Sequence, residues 1–170
     1  MLILGLDPGS LHTGFGLVER QGSAMRAIEA GRISCPKDHP VPARLARLAA
    51  GLGELLDRRP PDLAVLETPF HGMNSRSLIV LAEARGVLLA CLAGRGIEIR
   101  EYTPAEVKSA VTGNGRADKE QVARMVRLLL AVRAPADTGW AADATDALAV
   151  ALCCAQRLRF DRLRDQVVLP

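Results

Sequence analysis

Four carboxylates in this chain fall where a charge needs a reason to be. Asp7 closes the apolar run Leu2–Leu6 and leads at once into Pro8, Gly9 and Ser10. Glu67 closes a second apolar run, and Asp143 and Asp146 stand three residues apart near the start of a third apolar segment. A charged carboxylate at the end of a buried strand is costly unless something compensates it. If the two runs are neighbouring parallel strands, Asp7 and Glu67 meet beyond the carboxyl edge of a sheet, where open α/β sheets bind their ligands. Asp143 and Asp146, at i and i+3, share one helix face, and the first turns of a helix tolerate negative charge. Four carboxylates with no Lys or Arg among them repel one another, and the natural remedy is a hard divalent cation such as magnesium. Two such ions about 3.5–4 Å apart would make a phosphodiester-cleaving site, one activating water and one stabilising the leaving oxygen. Singly, each acid has a plainer reading. Asp-Pro-Gly is a common turn, Asp143 favours a helix start, Asp146 could be a solvated surface acid and Glu67 a strand-end charge. The combination is what points to chemistry.

Elements that could carry these residues are legible in the hydrophobic pattern. Apolar runs predict strands over 2–7, 13–19 and 25–34, joined by short turns as a meander. A helical stripe follows from Arg44: Leu45, Leu48, Ala49, Leu52, Leu55 and Leu56. The run 62–66 predicts a fourth strand ending in Glu67. A loop through Phe70 leads to a long helix over 75–93, then a fifth strand over 97–102. Thr103-Pro104-Ala105-Glu106 is a capping box with proline at the first helical position, starting a short helix to about 111. The loop 112–116 precedes a helix from about Asp118, and a final helix spans about 141–159. The order βββαβαβααα predicts a mixed α/β sheet with helices packed on it, because three early strands are joined by short turns.

With 170 residues, 49% hydrophobic and 24% charged, the chain suits one soluble globular domain, 1–170. No stretch reads as a signal peptide or membrane span, so a cytoplasmic protein is expected. Cys35, Cys91, Cys153 and Cys154 form no C-x-x-C pair and read as small buried apolar residues in a reducing compartment. Net charge is +3, from 19 arginines and only three lysines on the basic side, and two of those, Lys108 and Lys119, bracket one short loop. The C-terminal stretch around Arg157, Arg159, Arg162 and Arg164 is basic as well. A phosphate-bearing partner fits that pattern. Solvated arginine standing in for lysine fits it equally.

The segments ILGLDPGSLHTGFGLV, LAVLETPF, LAEARGVLLA, YTPAEVKSAVTGNGRADKEQVARMV and ADATDALAVAL resemble, in order, the RuvC family of Holliday-junction resolvases. The resemblance runs from Leu2 to about Arg159. It implies a ribonuclease H-like fold: a five-stranded mixed sheet flanked by helices on both faces. It implies a homodimer that resolves four-way DNA junctions in recombination and repair by paired symmetric nicks. Magnesium would be the cofactor, two ions per site, with manganese able to substitute. The family's catalytic, metal-holding acids fall on Asp7, Glu67, Asp143 and Asp146. Some relatives carry histidine at the third of these, which leaves Asp143 as either a direct ligand or a proton and charge tuner. Phe70 falls where the family places an aromatic that stacks on an unpaired base. Lys108, Arg116 and Lys119 fall at DNA-binding positions. The RuvA–RuvB branch-migration complex is the implied partner, with no membrane.

Three rival readings share parts of these patterns. One is an ATP-binding module, since Gly5–Ser10 also resembles the first phosphate loop of actin-like and sugar-kinase folds. Another is a shorter nuclease-like family linked to ribosomal RNA maturation. The third is a junction binder without catalysis.

Overall fold

The computed structural model describes residues 1–68, 75–130 and 139–167. Its five strands are β1 (Leu2–Asp7), β2 (His12–Gln21), β3 (Ala24–Ser34), β4 (Leu63–Glu67) and β5 (Glu98–Tyr102). They lie in the order β3-β2-β1-β4-β5. β1 pairs antiparallel with β2 and parallel with β4, and β4 pairs parallel with β5. The sheet is therefore mixed, as the short early turns predict. The strands match the sequence reading to within one or two residues at their ends. β2 and β3 turn through Gly22, whose φ of 62° suits glycine.

β1 reads as a continuous apolar run because both of its faces are covered: Ile3, Leu4 and Leu6 are fully buried. Under one face pack α1 (Val41–Arg58) and α2 (Ser75–Ala93). Leu48, Leu52, Leu88 and Leu92 close that layer against Leu4 and Leu6. Against the other face lies α5 (Ala142–Val167), with α3 (Pro104–Thr112) and α4 (Lys119–Leu129) packed on it. There Leu148 and Leu152 meet Ile3 and Val65 from the sheet and Val107 and Val122 from the outer helices. Sheet on one side and helices on the other leave α5 no wet face, so every residue from Ala147 to Ala155 is buried.

Both outer helices begin on reciprocal caps. The Glu106 N–H donates to Thr103 Oγ1 at 3.3 Å while Thr103 N–H donates to Glu106 Oε2 at 2.8 Å. Asp118 and Gln121 repeat the arrangement at α4. α5 runs beyond the expected end near 159, into the stretch read as a basic tail. Its Leu, Arg and Gln residues are good helix formers, and no Gly or Pro intervenes before Pro170. All four cysteines are free thiols; three are buried, but Cys91 is only partly so. No described helix is long and apolar enough to cross a membrane.

Candidate active site

β1 and β4 run side by side in the same direction, with Leu6 opposite Leu66. Their next residues, Asp7 and Glu67, therefore emerge together at the carboxyl edge of the sheet. The turn after Asp7 is held from within. Thr13, fully buried, donates from Oγ1 to the Gly9 carbonyl at 2.6 Å and accepts the Gly9 N–H at 3.3 Å. From α1, Arg44 Nη1 donates to Ser10 Oγ at 3.2 Å.

Two glycines bring the remaining acids to that edge. Gly14 is the cross-strand partner of Asp7, and a Cβ there would collide with the Asp143 carbonyl oxygen. A Cβ at Gly5 would collide with the carbonyl oxygen of Ala147. Lacking both methyls, the first two turns of α5 lie directly on β1 and β2, with Asp143 and Asp146 beside Asp7.

Asp7, Glu67 and Asp146 line a cleft of about 170 Å³ together with Lys108 of α3 and Lys119 of α4. Val107 and Val122 supply apolar wall. Lys119 Nζ donates to Asp146 Oδ2 at 3.1 Å. As the first residue of α4, Lys119 sits at the positive end of a helix. Asp146 offsets this and, through that hydrogen bond and its charge, raises the Lys119 pKa. Asp143 does not line the cleft; its Oδ2 faces Arg32 Nη1 at 3.9 Å. The expectation of acids with no cation among them is thus corrected. Lys119 lies 27 residues from Asp146 and Arg32 lies on β3, so neither approach shows in local sequence.

These charges still leave the acids under strain. Burial first, then Asp146, Glu67 and Asp143, push the Asp7 carboxyl up from 3.8 to about 7, against a lowering by Lys119. Glu67 is raised by burial and by Asp146, while Lys108 and Lys119 pull it down. Among the described residues, no three His, Cys, Asp or Glu side chains are grouped tightly enough to hold a metal ion as they stand. The donor chemistry nevertheless fits a hard divalent cation: the oxygens all come from carboxylates, and burial with the crowding of neighbouring acids pushes one of them up to about 7, a charge that a bound cation would stabilise.

A family profile described as crossover junction endodeoxyribonuclease RuvC matches residues 3–154. The chain belongs to the RuvC family. The RuvC of Anaeromyxobacter dehalogenans (strain 2CP-C) is 44% identical over 160 residues, spanning 94% of this chain and 83% of that one. The RuvC of Chloroflexus aggregans is 43% identical over 153 residues, 90% of this chain and 92% of that one. Among solved structures, T. thermophilus RuvC in complex with a Holliday junction substrate superposes with a TM-score of 0.86 at 30% identity, covering 95% of this chain and 96% of that one. The yeast mitochondrial resolvase Ydc2 shares the fold, with a TM-score of 0.66 at 12% identity over 98% of this chain and 84% of that one. The expected ribonuclease H-like sheet, with helices on both faces, is the arrangement found.

Of the residues the RuvC resemblance assigns to DNA, Lys108 and Lys119 flank the acids. Arg116 is exposed in the α3–α4 loop, where its N–H donates to Asn114 Oδ1 at 3.0 Å, and it is not part of the cleft lining. Phe70 lies outside the described residues. Sequence reasoning missed Thr13, Arg32 and Arg44. The threonine in LHTG had a faint signal, a hydroxyl four residues past the Gly of a tight turn.

Proposed function

We propose that this chain is a structure-selective endodeoxyribonuclease that resolves four-way (Holliday) DNA junctions in recombination and repair. One observation carries the reading. Asp7 and Glu67 end adjacent parallel strands and share a cleft with Asp146 and two lysines. Acids and cations in that proximity suit a phosphodiester: the lysines bind the non-bridging oxygens, and the carboxylates hold the metal. Bound there, Mg2+ or Mn2+, two ions per site, would supply a nucleophilic hydroxide and stabilise the departing 3′ oxygen. Asp7, Glu67 and Asp146 are the ligands the cleft supports most directly. Asp143, turned toward Arg32, fits a tuner of Asp7 better than a first ligand.

The remaining assignments rest on the family resemblance. Phe70, three residues beyond Glu67, is suited to stack on a base at the crossover. Arg116, exposed between the two lysines in sequence, is suited to a phosphate farther along the arm. Two copies would pair through α2, where Leu78 is 38% and Ile79 60% exposed. The enzyme would work in the cytoplasm on junctions presented by the RuvA–RuvB complex.

The test offers four-way junction, linear duplex and RNA–DNA hybrid, each with and without Mg2+. Symmetric nicks on the junction alone, only with metal, are expected. Cutting of the hybrid in preference to the junction would reject the reading.

A further inference from the structure

Arg85 of α2 is the one charged residue in the buried interior among the described residues, 9% exposed. A guanidinium at such depth needs full pairing. Among the described residues it has two acceptors. Nη1 donates to the backbone carbonyl oxygen of Glu67 at 2.8 Å, and Nη2 donates to the Glu101 carboxylate. Glu101 lies on β5, opposite Leu66. The Thr68 N–H then donates to the Tyr102 carbonyl at 2.8 Å. The end of β4 is thus held on both sides of the Glu67–Thr68 peptide: by the neighbouring strand and by a side chain from the helix beneath. A strand-terminal carbonyl needs a partner, and here that partner is a planar fork whose direction a carboxylate fixes.

We propose that Arg85, oriented by Glu101, is a positioning residue for the reaction. It sets where the Glu67 backbone sits and hence where the Glu67 carboxylate meets metal and phosphate. The inference rests on the nuclease reading of the cleft and deepens it. Glu101 is the exposed end of the pair, so the attraction of the two charges by itself adds little stability, and exchanging both for apolar side chains costs mainly the bond to the Glu67 carbonyl. That bond is what aims Glu67, and no apolar side chain can make it. Lysine, a point charge without the fork, would hold only part of it.

The experiment compares wild type with the double variant Arg85→Met/Glu101→Met and with Arg85→Lys. Four quantities are measured: thermal melting, junction affinity in chelator, Mn2+ binding by calorimetry, and single-turnover cleavage at saturating junction and Mg2+. The double variant is expected to stay folded and bind junction like wild type, melting moderately lower because the Glu67 carbonyl has lost its partner. It should bind Mn2+ more weakly and cleave about 10- to 100-fold more slowly, the scale of a small misplacement of a catalytic group. Arg85→Lys should fall between the two. A folded double variant matching wild type in rate or in Mn2+ affinity overturns the proposal. If the double variant does not fold, Arg85→Lys decides, and wild-type rate and Mn2+ affinity in that variant overturn it as well. Should wild type itself fail to nick the junction, the nuclease reading falls, while the Mn2+ titration still tests Arg85.

Discussion

Burial and three neighbouring carboxylates hold the Asp7 proton until about pH 7, against 3.8 for a free side chain. Without metal, the native state therefore binds more protons than the unfolded chain between those values. The stability tied to this proton is fully present below about pH 4 and is lost as pH rises through 7. Asp7→Asn removes the dependence. In chelator, calorimetry should show the variant melting above wild type at pH 8, by about 2–4 °C for each kcal/mol of strain relieved. The gap should close as pH falls toward 4; a gap constant from pH 8 to pH 5 would contradict the assignment. Catalysis moves the other way. On the proposed metal-dependent reading, metal would compete with the Asp7 proton, so half-maximal cleavage should need more Mg2+ at pH 6 than at pH 8. Asp7→Asn, Glu67→Gln and Asp146→Asn should each abolish cleavage while junction binding persists or tightens, since less negative charge then faces the phosphates. An Asp146→Asn protein that cleaves at the wild-type rate would remove Asp146 from the site.

The seating of α5 on the sheet depends on missing side chains. At Gly14 a methyl would meet the Asp143 carbonyl, so Gly14→Ala must lift the helix start or bend β2. Overpacking of this kind costs about 1–3 kcal/mol. The melting temperature should drop by about 2–4 °C per kcal/mol, and cleavage should weaken because the acids of α5 move from Asp7. Gly86 is the contrast. It lies within α2, exposed, and a Cβ there has nothing within 4 Å. Melted at concentrations where the chain is unpaired, Gly86→Ala should raise stability by about 0.4–1 kcal/mol by narrowing the unfolded ensemble. Parallel thermal melts by circular dichroism check both signs. If Gly14→Ala were as benign as Gly86→Ala, the close approach of α5 would not be what assembles the acids.

One chain carries one set of four acids, whereas resolving a junction takes two cuts on strands of like polarity related by a two-fold axis. A two-fold dimer matches that symmetry. α2 offers a face for it, since Ala84, Leu88 and Leu92 are buried against α1 and the sheet while Leu78 and Ile79 stay exposed. Heterodimers of wild type with Asp7→Asn should bind a supercoiled cruciform plasmid normally and convert it mainly to nicked circle. Wild-type homodimers should give linear product, because both cuts fall within one bound lifetime. Full linear yield from heterodimers free of wild-type homodimers would mean that one site makes both cuts.

Whatever depends on neighbours along the chain was readable from the residues alone. The strand and helix order followed from hydrophobic periods, the start of α3 from Thr103 and Glu106, and the suspicion of metal chemistry from acids placed at strand ends. The tertiary structure decided which strand lies beside which, and that choice is energetic at long range. β1 takes β2 on one edge and β4 on the other, so its backbone groups are paired on both sides while helices cover both its faces, and Asp7 comes to lie next to Glu67. It also decided that Asp143 turns to Arg32, that Lys119 reaches Asp146, and that Arg85 grips the Glu67 carbonyl. Each of these pairs residues far apart in sequence. Arg85 in particular, set in an apolar helix, reads locally as a surface charge, and only the packing of α2 under β4 and β5 turns it inward.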